Sequence, residues 1–134
     1  MKGRENLLLD WLTGLVLVIE KFCGKEASFL MRKTGENTAK LLIERRCPKN
    51  LKELIEDDVM KKHGMKFELE EREDGIIVRM FECPFNKNNP NKLFCHFTDS
   101  YWGEIGKYYD HEVEVKKRIA DGEDYCELIL RRRF

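Results

Sequence analysis

A chain of 134 residues has room for a single core. With 42% hydrophobic and 37% charged residues it is not a disordered tail. Its 25 Lys and Arg against 25 Asp and Glu exclude the overall positive field of a dedicated nucleic-acid or anionic-membrane binder.

The first apolar stretch, 7–19, is broken by Asp10 and Thr13 and closed by Glu20 and Lys21. It is too short and polar to span a bilayer, and no cleavage site follows, so a cytoplasmic protein is expected. Asn6 is the expected cap of a helix ending at Gly24. Residues 15–19 are apolar on every side, which assigns this helix either to a central core position or to a subunit interface. A second helix is expected over 26–46, with Phe29, Leu30, Lys33 and Asn37 along one side. Gly35 and Ala39 are a small pair, four apart, that either admits another helix or marks a break. Asn50 caps a third helix that presents Leu51, Leu54, Ile55 and Val59 on one face and stops at Gly64.

The pattern then alternates. Phe67 and Leu69 share one strand face, 73–75 reads as a tight turn, and 76–82 returns. A polar loop, 84–93, is a candidate cover or interaction loop. Residues 94–109 read as a helix with two neighbouring stripes, one of Phe94, Phe97, Tyr101, Ile105 and Tyr108, the other of Cys95, Thr98, Trp102, Gly106 and Tyr109. A second hairpin follows, 111–119 and 125–134, with Cys126, Leu128 and Leu130 on one face. Together these elements give an α+β domain: N-terminal helices, through residue 64, packed on a four-stranded antiparallel sheet made of two hairpins (65–134) with a helix between them.

Three features carry candidate chemistry. Phe94, Phe97, Tyr101, Trp102 and Ile105 either pack as core or line a pocket for an apolar or aromatic ligand. Five Cys without a secretory signal point to free thiols or metal ligands rather than disulfides. Of these, Cys83, Cys95 and Cys126 stand at strand and helix ends that can converge, with His96 or His111 to complete a metal site, although their spacing is unlike paired C-x-x-C motifs. On spacing alone the favoured reading is that each Cys is a small buried hydrophobe. Cys95 as a nucleophile needs a His from elsewhere, such as His63 or His111. The basic runs 116–118 and 131–133 read as a solvated sheet edge before an anion site.

Three segments in order, FECPF (81–85), FCHFTDSYWGEIG (94–106) and ADGEDYCELIL (120–130), resemble the 4-vinyl-reductase-type ligand-binding domain family, which is related in fold to TRAPP vesicle-tethering subunits. The resemblance implies helices over a four-stranded antiparallel sheet, a homodimer through the N-terminal helix, and a small hydrophobic molecule held between the two layers. The balanced charge and the polar first segment lead to the expectation of no membrane and no direct nucleic-acid partner. Metal-binding members use a Cys at the helix start, a Glu and a Cys three apart on the next strand, and the closing Cys. Cys95 and Cys126 match the outer two, but Val115 and Arg118 fall at the middle pair. Zinc would therefore need Cys83 as a substitute. The leading expectation is a small-molecule-binding or sensor domain acting through a partner. Its rivals are a thiol-dependent hydrolase using Cys95 and a structural assembly subunit.

Overall fold

The structure, a computed structural model, describes residues 2–46, 50–61, 65–82 and 92–133, with the side chains of 2–9 and 46 left out of the description. The expectations placed on Cys47, His63, Gly64, Cys83 and most of the 84–93 loop lie outside these residues.

The first helix, α1, runs Lys2–Cys23, so Asn6 lies inside it rather than capping it. Gly24 ends it at φ +53°, a left-handed conformation that glycine adopts without strain. A 3-10 turn, Gly24–Glu26, leads into α2, Ala27–Arg46. Gly35 does not break α2. A Cβ there would collide with the Phe97 carbonyl, so the glycine is what lets another helix lie against it. The packed stripe is Ala27, Met31, Gly35, Ala39 and Leu42, at helical spacing and mostly small. The side that holds Phe29, Leu30 and Lys33 is exposed instead. Small residues win the packing side because they bring two backbones together; the larger apolar residues stay out.

Asn50 caps α3, Leu51–Glu53: its Oδ1 accepts from the Glu53 N–H at 2.8 Å while its Nδ2 donates back to Glu53 Oε1 at 2.9 Å. The helix continues as a π-helical segment, Leu54–Met60. Leu51, Leu54, Ile55 and Val59 are buried as expected, joined by Met60 and by the charged Asp58.

β1, Phe67–Arg72, and β2, Gly75–Met80, form a hairpin with Arg72 opposite Gly75. α4, Lys92–Tyr108, crosses to β3, His111–Lys117, and β4, Cys126–Arg132, completes one antiparallel sheet in the order β1-β2-β4-β3. The register opposes Ile76 to Leu130, Val78 to Leu128 and Val113 to Leu130. This puts the alternate apolar residues of all four strands on one face, and Trp102 and Ile105 of α4 pack there with the π-helical segment. On the other face, Arg79 meets its cross-strand partner Glu127 at 2.8 Å. The fold is therefore the α+β arrangement read from the pattern.

Candidate functional site

The five aromatic and aliphatic residues expected to line a pocket are divided by α4 between two cores. Trp102 and Ile105 belong to the main core under the sheet, where Ile105 is fully buried. Phe94 belongs to a second, smaller cluster with Val16 of α1 and Met31 of α2, and Phe97 packs against it. Tyr101 links the two: it stacks on Phe97 with centroids 6.0 Å apart and meets Trp102 edge-on at 6.1 Å. The smaller cluster is a three-helix junction of α1, α2 and α4 closed by few side chains.

α1 is two-faced. Leu12, Val16, Ile19 and Cys23 turn inward, with Val16 buried and the others partly so. Trp11, Leu15, Val18 and Phe22 repeat on the adjoining side, about 100° around the helix, and are 72%, 48%, 52% and 77% exposed. Their four-three-four spacing is that of a helix-pairing seam.

The expected metal ligands are partly gathered. Cys95 lies in the first turn of α4, which begins at Lys92 and not at the cysteine, and Cys126 opens β4; both are free thiols. The Ile119 N–H donates to Cys126 Sγ at 3.2 Å. Its neighbour Arg118 donates to both Asp99 oxygens, at 2.8 and 2.7 Å. Asp99 holds the guanidinium above its ordinary pKa against the opposing effect of burial, with Cys95 a smaller contributor through its own side-chain contact. Both sulfurs thus border one short segment, and a fixed cation stands beside Cys95. Among the described residues no three Cys, His, Asp or Glu side chains gather to hold an ion. Cys83, the third expected ligand, lies outside them. His111 does not face a sulfur cluster in any described contact; its Nδ1 donates to the Tyr109 carbonyl at 2.7 Å.

The basic runs are largely neutralised. Lys116 and Arg131 pair with Glu114, Arg133 with Glu112, and Lys117 reaches the Tyr125 hydroxyl at 3.0 Å. Only the first run lies on the sheet edge, at the end of β3; the second is exposed but ends β4, which is flanked by β2 and β3. Sequence reasoning missed the Asp99–Arg118 clamp, which has no local signature. It also missed the buried Asp58, whose charge adds to desolvation in raising Tyr101 to about 12 and contributes to a rise at Tyr109. A signal existed, because Asp58 continues the Leu51, Leu54, Ile55 stripe.

No family model matches the sequence, and no curated protein does. Solved structures do match. A trafficking protein particle complex subunit 3 from Naegleria fowleri, covalently bound to palmitic acid, aligns over 100% of this chain and 98% of its own, with a TM-score of 0.62 and 16% identity. The chain is similar in fold to a TRAPP subunit. An Fe(II) unliganded H-NOX protein mutant from K. algicida aligns over 90% of this chain and 70% of its own, with a TM-score of 0.55 and 14% identity. At these identities the likeness concerns the fold. Among the described residues no helix is long and apolar enough to cross a membrane.

Proposed function

We propose that this chain is a dimerising module that binds a small apolar molecule and acts through a partner, of the 4-vinyl-reductase type. The observation that carries the proposal is the exposed seam of Trp11, Leu15, Val18 and Phe22. A row of large apolar side chains about 16 Å long is costly to leave in water and is self-complementary about a two-fold axis. The family assignment is supported by the order of the three motifs and by the TRAPP-like topology. The ligand would enter the three-helix junction at Val16, Met31, Phe94 and Phe97, where Tyr101 and Trp102 continue the lining toward Ile105. The palmitate on the Naegleria subunit supports an apolar guest in this fold.

Light scattering on the 16.0 kDa chain at micromolar concentration should give twice that mass. The Trp11→Glu, Val18→Glu double variant should give a monomer with unchanged helix content. A wild-type monomer at high concentration overturns the dimer. Native mass spectrometry of protein purified without detergent should show a retained apolar molecule, and its absence together with no uptake of palmitate overturns the ligand.

Zinc at Cys95 and Cys126 with Cys83 is a separate part of the proposal. It is supported by the two sulfurs bordering the Arg118–Ile119 segment. One zinc per chain by elemental analysis, with a lower Tm after chelation, is the expected result. A metal-free protein with undiminished stability removes it.

A further inference from the structure

β3 is an edge strand, and α4 does not lie flat along it. The two meet closely at Gly106, where an added Cβ would press on Val113 and on the His111 carbonyl. One turn earlier, an added Cβ at Gly103 would meet nothing within 4 Å. Helix and strand therefore diverge, and between them opens a groove of about 640 Å³ lined by Asp99, Gly103, Lys107, His111, Val113 and Val115. Two more residues, Glu112 and Arg133, complete its rim.

The groove has two rails of equal length. Asp99, Gly103 and Lys107 repeat every four residues along α4, roughly 12 Å. His111 to Val115 spans roughly 13 Å of β3, along the edge that β4 does not occupy. A helix beside an open strand edge suits an extended chain, which bonds its backbone to the edge and drops alternate side chains against the helix. The floor offers Val113, Val115 and the bare Gly103 to apolar side chains.

The charges choose the partner. Asp99 is held by Arg118 and Glu112 by Arg133. Lys107 and His111 remain without an ion pair among the described residues, at the end where β3 begins. His111 donates its Nδ1–H to the Tyr109 carbonyl, so Nε2 of the neutral ring is an acceptor, and the charge that selects an acidic guest is that of Lys107. The geometry points to this groove as the docking site for an extended segment of a partner protein that carries an acidic side chain, added as a fifth strand beside β3. This surface does not depend on the α1 seam.

The test uses the full chain, labelled with nitrogen-15, and a pool of seven-residue synthetic peptides randomised at alternate positions, with one fixed Glu in half the pool and Gln in the other half. The Glu half should bind about ten-fold more tightly and slow hydrogen exchange at the β3 amides that do not bond to β4. Lys107→Glu should reverse the preference. Gly103→Leu, a change into open space that leaves the fold intact, should abolish binding. The proposal is overturned if neither half binds at about millimolar concentration, or if Glu and Gln bind alike. Benzoate binding as well as the peptides without protecting β3 would make this a small-molecule site and overturn it too. Protection of β3 that rises with protein concentration alone would mean self-pairing, with the same consequence.

Discussion

Single residues decide where charge can be buried. Arg118 and Asp99 are both partly exposed, so their two-point clamp contributes modestly. Arg118→Ala should cost about 1 kcal/mol, less than a fully buried charge-assisted pair, measured by urea unfolding. Tyr101 gives a sharper reading. Desolvation first, and the Asp58 charge second, raise its pKa from 10.0 to about 12. Above pH 10 the unfolded chain loses this proton while the folded chain keeps it. The contribution is therefore full below 10, and stability should fall as pH climbs from 10 toward 12. Tyr101→Phe should flatten that part of the curve, read by denaturant midpoints across the range. The sequence marked only that Asp58 shares the buried stripe; neither pairing was legible, because the clamp joins residues 19 apart and Tyr101 meets a charge from a different helix.

Among the elements, two glycines that both lie inside helices have opposite meanings in space. Gly35 presses on the α4 backbone, whereas Gly103 faces an open groove. Gly35→Ala should destabilise by about 1–3 kcal/mol through overpacking. Gly103→Ala should stabilise by up to about 1 kcal/mol through helix propensity. Thermal unfolding of the two variants side by side checks both. The small pair Gly35 and Ala39 signalled a close helix approach in the sequence, and α4 is the helix that approaches. The facing stripe was misread on α2, because Phe29 and Leu30 outweigh Ala27 and Gly35 on any hydrophobicity scale. The strands read more easily. Alternation of Phe67 with Leu69, and of Leu128 with Leu130, assigns the inward faces directly, and tight turns set the register of β1 with β2. The candidate site was legible only as a set of residue types. Its division between two cores follows from how α4 leans on α2, which periodicity within α4 does not contain.

At the scale of the whole molecule, the stability rests on the larger core. Ile105→Ala, at a fully buried position beneath the sheet, should cost about 2–5 kcal/mol and lower Tm accordingly. Phe94→Ala opens the smaller junction instead and should loosen α1 first. Hydrogen exchange would show this as faster exchange confined to α1, with the sheet amides unchanged. Equal acceleration everywhere would mean that the two clusters act as one unit.

The strand order has a mechanical consequence. β4 comes latest in the chain yet lies between β2 and β3. Until it arrives, the early ribbon and the edge at His111 have no ladder in common, however well each is formed. Tension applied at residue 133 would draw out the central stave and split the sheet into two unjoined halves, whereas the same pull on β1 would only peel its rim.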